Sequence, residues 1–294
     1  MNIKTQEISM SILKDKGVKL FIKRIDQSHE YISGNKLYKL KYNLLEAKRQ
    51  AQSTLLTFGG AYSNHIAATA CSAKESGFKS IGVIRGEECF PLNHTLNFAK
   101  EQGMEIYYLN RDRYRLKNTD EFICELKQKF GDFYLIPEGG SNSLGIRGAS
   151  EIIDSNDVQD FICCSVGTGA TISGIIRSAD GRQKVIGFPA IKGFTQLESD
   201  ISCWSNRSNW ELINNYVCGG YARINKALLD IIYTFYETYN IPLDAVYTGK
   251  MMLGILDLVF KDYFPRGSSI LAIHTGGVQG NKGMVERLGI KLPS

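Results

Sequence analysis

The sequence predicts an α/β fold with a mainly parallel sheet covered by helices on both faces. Short runs rich in β-branched and aromatic residues alternate with longer stretches of helical period, the pattern of βαβ units. Most of those runs are apolar throughout, as strands are when helices cover both faces of the sheet. The expected strands are KLFIKRI at 19–25, TLLTFG at 54–59, SIGVIR at 80–85, EIYYLN at 105–110, DFYLIP at 132–137, FICCSV at 161–166, KVIGFP at 184–189 and SILAIH at 269–274. After the first of these, Leu37, Leu40, Leu44 and Leu45 recur at helical spacing behind Gly34-Asn35. After the second, HIAATACSAKESG reads as an Ala-rich helix that stops at Gly77, since glycine ends helices without steric cost. Cys163 and Cys164, neighbours in one strand, should point to opposite faces as buried small hydrophobes.

A length of 294 residues suits one large or two modest domains. No repeat or Pro/Gly-rich linker divides the chain, but polar stretches near 48–53 and 154–160 read as hinges. They give residues 1–49 and 157–294 as a large lobe and 50–156 as a small inserted α/β lobe, a size that domains commonly have.

Composition narrows the function. With 43% hydrophobic and 22% charged residues the chain falls in the globular range, which excludes disordered and fibrous classes. The net charge of +5 is too slight to imply a nucleic-acid partner. Seven cysteines without a C-x-x-C pair suggest neither a disulfide framework nor a zinc cage, and fit reduced thiols in a cytoplasm. The first twenty residues scatter their charges and build no secretory core. Every apolar run is broken before the roughly 18 residues that a membrane span needs. His29, His65, His94 and His274 lack metal-ligand spacing, so no metal is expected.

Four segments carry candidate chemistry. In YISGNKLYKLKYNLLEA a Gly-Asn turn delivers Lys36 to the mouth of a helix, where desolvation would make its amine a nucleophile toward an aldehyde or ketone. The plainer reading is a solvated helix lysine, as Lys39, Lys41 and Lys48 illustrate. In TLLTFGGAYSNHIAATA a strand and Gly-Gly turn lead to Ser63 and Asn64 at a helix start, whose free N–H groups suit a carboxylate. Here the plainer reading makes Ser63 or Asn64 a cap and His65 an exposed first-turn residue. In FICCSVGTGATISGIIRSA a strand runs into Gly167-Thr168-Gly169-Ala170-Thr171, a loop able to cradle one phosphate. No Gly-Lys-Ser/Thr follows it, and Ile172 occupies the third-glycine position of a dinucleotide fingerprint, so a monophosphate suits it best. Late in the chain, Asp244-Ala-Val-Tyr247-Thr248-Gly-Lys250 and Ile273-His-Thr275-Gly-Gly277 lie where strand ends face a ligand crevice. The basic run Arg111-Asp-Arg-Tyr-Arg-Leu-Lys117 is expected to be a solvated loop.

Five motifs, S-G-N-K-L-Y-K-L, G-G-A-Y-S-N-H, G-T-G-A-T-I-S-G, V-Y-T-G-K and I-H-T-G-G, occur in register, and the likeness they carry runs from about Lys19 to Gly283. By them the chain resembles the D-cysteine desulfhydrase and 1-aminocyclopropane-1-carboxylate deaminase family, pyridoxal-phosphate enzymes of the tryptophan synthase β fold type. The resemblance implies a two-domain fold type II enzyme and a homodimer. Lys36 would hold the cofactor and shuttle protons, Asn64 would bond its 3′-oxygen, and Gly167, Thr168, Gly169, Ala170 and Thr171 would bind its 5′-phosphate, with Thr248 and Thr275 as further cofactor contacts. Ser63, Asn64 and His65 would meet the substrate, Tyr247 and Tyr221 would line its side, and Ser63 and Tyr247 would assist catalysis. Thr248 stands where the cyclopropane deaminases carry a glutamate beside the pyridine nitrogen, and a neutral hydroxyl cannot raise that nitrogen's pKa. The resemblance therefore implies β-elimination from a small amino acid, taking D-cysteine to pyruvate, ammonia and sulfide. The alternatives are a 1-aminocyclopropane-1-carboxylate deaminase or a non-catalytic pyridoxal-phosphate or amino-acid binding protein of the same fold. Ser33, Tyr62 and Ala245 depart from the family's Gly, Gln and Pro.

Overall fold

The computed structural model describes residues 3–32, 34–88, 90–190, 195–220 and 222–293. Its strands are β1 (Thr5–Ile8), β2 (Lys19–Lys23), β3 (Thr54–Gly60), β4 (Lys79–Arg85), β5 (Met104–Leu109), β6 (Tyr134–Ile136), β7 (Phe161–Val166), β8 (Lys184–Pro189), β9 (Trp210–Leu212) and β10 (Ser269–Ile273). They form a six-stranded sheet in the order β1-β2-β10-β7-β8-β9 and a four-stranded sheet in the order β5-β4-β3-β6. Every pair is parallel except β1 with β2. All eight expected strands are present, with ends moved by up to two residues. The unforeseen β1 and β9 are edge strands; β1 buries only Ile8, and β9 is half-buried throughout. Neither carries an apolar run. The first expected strand stops at Lys23 because the chain there turns to bury charges. Lys23 pairs with Asp154 at 3.0 Å and with Asp157, and Arg24 pairs with Asp26 at 2.7 Å.

The apolar character of β7 follows from its place between two cores. Cys163 packs with Ile186, Phe235 and Met252 on one face, and Cys164 with Ile172, Ile175 and Ile201 on the other. Each large aliphatic side chain so enclosed stabilises the fold by about 1.5–3 kcal/mol.

The helix Asn35–Arg49 buries Leu40 and Ala47 against Leu55, Ala68 and Ile136, so it packs on the second sheet, with Leu37 and Leu44 at its margin. Leu45, read as part of the same stripe, is 55% exposed. Residues 37, 40, 44 and 47 share a face at three- and four-residue steps, and one step beyond 44 turns off it. The next long helix, Asn64–Ser76, is capped by Ser63 and stops at Gly77, whose φ of 77° is left-handed. Among the described residues no helix is long and apolar enough to cross a membrane.

Candidate active site

The C-terminal ends of β3, β4 and β7 and the loop after β10 surround a cavity of about 570 Å³. Residues just past parallel strands face such a crevice. Lys36, Ser63, Asn64 and His65 line it, as do Gly167, Thr168, Gly169 and Thr171, with Tyr247 and Thr275 opposite in sequence. Ala170 is fully buried behind the loop, and Tyr221 lies outside the described residues.

Lys36 is placed by a turn that tolerates no side chain. Gly34 has a φ of 71°, and a Cβ there would come within 2.0 Å of the Thr275 carbonyl oxygen. Asn35 N–H donates to that same carbonyl at 3.1 Å, which fastens the helix start to the loop after β10. Lys36 Nζ donates to Asn35 Oδ1 at 2.9 Å. Burial draws its pKa down to about 8, while the charge of Asp244 opposes the fall. An amine in that range is unprotonated in about a tenth of the molecules at neutral pH, several hundred times the share in an ordinary lysine.

Lys39, taken from the sequence as a solvated lysine, is 2% exposed and lines the cavity. It lies one turn beyond Lys36, on the flank of the helix that faces inward. Burial and the neighbouring Lys36 charge push its pKa well below the ordinary lysine range. Its Nζ is 3.5 Å from Ser141 Oγ, which in turn donates to Thr168 Oγ1. Thr171 Oγ1 accepts from Asn35 Nδ2 at 2.8 Å. The loop between them enters the helix Ala170–Ser178 through Gly169, with φ 87°, and no side chain caps that helix. Its first-turn N–H groups have no acceptor within the helix.

At the other helix start Ser63 Oγ accepts from the N–H groups of His65 at 3.2 Å and Ile66 at 3.4 Å. The capping reading is therefore correct for Ser63, yet the hydroxyl hydrogen is left to donate toward the cavity. His65, read by the same alternative as exposed, is 2% exposed. Its Nε2 lies 2.9 Å from Thr57 Oγ1, and Thr57 gives its own hydrogen to the Ile136 carbonyl at 2.8 Å. That arrangement assigns the proton to Nε2. Burial, then the charges of Lys36 and Lys39, hold the imidazole neutral, well below its usual pKa. Asn64 Oδ1 is buried without a partner.

Thr248 is fully buried and does not line the cavity. Its hydroxyl donates to Asp244 Oδ2 at 2.7 Å and accepts from Asp244 N–H at 2.9 Å. Asp244, which lines the cavity, thereby holds the Thr248 hydroxyl in the turn behind the cavity wall. Asp244 also accepts from the N–H groups of Val246, Tyr247 and Thr248 at 2.8 to 2.9 Å, which closes the turn before the helix Thr248–Phe260. Thr275, whose Oγ1 lies 3.0 Å from Ser165 Oγ, does reach the cavity wall.

Sequence reasoning gave no role to Lys39, Ser141, Ser165 or Asp244. An Asp four residues before Thr248 is a legible helix-start signal, and Lys39 shares a helix flank with Lys36. Ser141 and Ser165 reach the site by tertiary contact, and nothing local marks them.

Comparison with known proteins agrees with this geometry. The profile of the family described as pyridoxal-phosphate dependent enzyme matches residues 4–276, and the chain belongs to that family. It is 31% identical over 304 residues to the mitochondrial bifunctional D-cysteine desulfhydrase/1-aminocyclopropane-1-carboxylate deaminase of Arabidopsis thaliana, covering 92% of this chain and 75% of that one. It is 26% identical over 297 residues to a D-cysteine desulfhydrase of Klebsiella pneumoniae, covering 89% and 87%. A solved structure described as an ACC deaminase homologue superposes with a TM-score of 0.85 at 28% identity, covering 98% and 94%.

Proposed function

We propose that this pyridoxal-phosphate dependent enzyme is a lyase that expels the β-substituent of a small amino acid, taking D-cysteine to pyruvate, ammonia and sulfide. The observation that carries the reading is the pairing, in one cavity, of an amine brought to a pKa of about 8 with an uncapped Gly-rich helix start.

The residues present fit the cofactor. A phosphate suits the free N–H groups of the Gly167–Thr171 loop, with Lys39 supplying the opposite charge. An anion there would offset the cost of burying an ammonium group without a counter-charge. The buried, unpartnered Asn64 Oδ1 marks an amide kept for a ligand at a cost of roughly 1–3 kcal/mol. Lys36 would hold the cofactor through Nζ, and Thr248 and Thr275, steadied by Asp244 and Ser165, would be further cofactor contacts. When bound, the cofactor supplies an electron sink conjugated to the substrate α-carbon.

The chain's own residues do the rest. Lys36, free to carry a proton near neutral pH, removes the α-proton. Ser63 donates its O–H to the substrate carboxylate, and the start of the Asn64–Ser76 helix adds its positive end. Tyr247 lines the substrate side, and Tyr221 is assigned there by resemblance. Neutral His65 is anchored to Thr57 and gives its backbone N–H to Ser63 Oγ. Thr248, hydrogen-bonded to Asp244, offers no free carboxylate where the cyclopropane deaminases carry a glutamate. A thiolate, a good leaving group, needs less stabilisation at the α-carbon than a ring does, so elimination is favoured.

The same reading places residues 1–49 and 157–294 in a large lobe and 50–156 in a small inserted one, with the Asn35–Arg49 helix leading into the latter. It includes a homodimer and a cytoplasmic location, the latter supported by six described cysteines that are all unpaired.

The test records the visible spectrum with pyridoxal phosphate, then adds D-cysteine and assays sulfide and pyruvate together. A cofactor band that shifts as both products form is expected. A band without products leaves the binding-protein alternative. Product from 1-aminocyclopropane-1-carboxylate but not from D-cysteine replaces elimination with ring opening.

A further inference from the structure

Beyond the Lys36 cavity the crevice continues into a second hollow of about 400 Å³, lined by Arg85, Arg111, Tyr114, Arg115 and Lys117. Arg85 and Arg111 also line the first cavity, so the two share a wall. The fold brings these arginines together. Arg85 ends β4 in register with Gly60 of β3 and Leu109 of β5. Gly86 N–H ties the strand ends by donating to the Leu109 carbonyl at 2.7 Å. Arg111 then opens the short helix that Asn110 caps. A Cβ at Gly60 would lie 3.8 Å from Arg85 Nη2, so the guanidinium hangs over the end of β3, just ahead of Ser63 in the chain.

The surrounding charges are unevenly paired. Arg113 pairs with Glu125, Arg115 lies 3.3 Å from Asp112, and Lys117 lies 3.5 Å from Glu138. Among the described residues Arg85 and Arg111 have no carboxylate within 4.0 Å. Arg85 instead lies over the Tyr114 ring, 5.8 Å from its centroid. Glu138 lines the same cavity but lies against Lys117, so the two guanidiniums on this concave wall keep donor forks that match an oxyanion. The run Arg111–Lys117, read from the sequence as a solvated loop, is mostly exposed but opens with a short helix, and Arg111, Tyr114, Arg115 and Lys117 line the basic hollow.

We infer that Arg85 and Arg111 form a subsite for an oxyanion carried on the β-substituent of the amino-acid substrate. The inference rests on the lyase reading above, which assigns the carboxylate to Ser63 and the α-carbon to Lys36. The side chain then runs toward the remaining cationic wall. Substrates of this class are β-esters of serine with an oxyacid, such as phosphate. The α-proton passes to Lys36, the Cα–H electron pair becomes the Cα=Cβ bond, and the Cβ–O bond breaks with its electrons leaving on phosphate. Water then releases pyruvate and ammonia, so one phosphoserine and one water give pyruvate, ammonia and inorganic phosphate.

The test compares O-phospho-D-serine, O-phospho-L-serine, D-serine and D-cysteine by pyruvate release from the holoenzyme and its Arg85→Ala/Arg111→Ala variant. Both side chains are exposed, so the variant should fold. For the better phosphoserine enantiomer kcat/KM should fall about tenfold or more, as loss of charge-assisted bonds predicts, while D-cysteine stays within about twofold. Arg85→Lys/Arg111→Lys should recover part of the loss. An unchanged phosphoserine value, or an equal fall for D-cysteine, overturns the subsite. Failure of every substrate to yield pyruvate sinks the lyase reading instead. The subsite is then decided by titrating the cofactor absorbance. A dissociation constant for O-phosphoserine that rises about tenfold in the alanine variant, with that for D-alanine unchanged, supports it, and equal shifts overturn it.

Discussion

Two helix starts line the same cavity, and the chain treats them in opposite ways. At the Asn64–Ser76 helix Ser63 takes up the N–H groups of His65 and Ile66, whereas the Ala170–Ser178 helix begins at a left-handed glycine with no side-chain cap. The capped start has two of its N–H groups satisfied without a ligand and offers one hydroxyl hydrogen and the unpartnered Asn64 Oδ1. The uncapped start leaves its donors to whatever binds, and it is flanked by Lys39 and the Ser141–Thr168 hydroxyl pair. The first is suited to an exchanging substrate and the second to a resident anion. Ligand-free stability should therefore depend on Ser63, and cofactor affinity on the Gly169 loop.

The largest effect should come from Lys36→Ala, which serves both ends. Pyruvate release should drop by about 10³-fold or more, with loss of the covalent cofactor band, because a general base alone contributes 10²–10⁴. Retained turnover would remove Lys36 from the centre of the site. Lys39→Met sharpens the contrast at the uncapped end. The cofactor dissociation constant should rise about tenfold, while the cofactor-free protein gains stability because a buried amine without a counter-charge is replaced by an apolar chain. A thermal melt without cofactor that moved downward would show Lys39 to be structural instead.

Gly169→Ala forces a side chain into φ 87°, with its Cβ 3.0 Å from Leu197 Cδ1. Left-handed strain of about 1–2 kcal/mol predicts cofactor binding weakened by about tenfold, read by equilibrium dialysis. Ser63→Ala should lower unfolding stability by about 1 kcal/mol, the usual loss for a helix cap, and raise KM more than it lowers kcat. If cofactor affinity fell as far as for Gly169→Ala, the division of labour between the two ends would be wrong.

The gentlest test is pH. Lys36 must lose its proton to attack the cofactor, and its pKa lies at about 8, so capture by the cofactor-free protein should rise with pH through about 8 and then level. A rise that continued toward the ordinary value of 10.5 would show that burial does not set this amine.

The sequence by itself determined the α/β class, eight strands, the stop of the Ala-rich helix at Gly77 and the opposite facing of Cys163 and Cys164. These depend on hydrophobic period and glycine punctuation, which act over a few residues. It also identified Lys36, Asn64 and the Gly167–Thr171 loop as candidates, because turns and helix starts have local signatures. Edge strands β1 and β9 escaped it, since an edge buries too little to force an apolar run. Only the tertiary structure decided which side chains are desolvated and which are already engaged. It buried Lys39 beside Lys36, turned His65 inward onto Thr57, and bound the Thr248 hydroxyl to Asp244. It also set Arg85 and Arg111 on one wall from the ends of neighbouring strands. Burial and hydrogen-bond pairing depend on groups distant in the chain, and no local pattern encodes them.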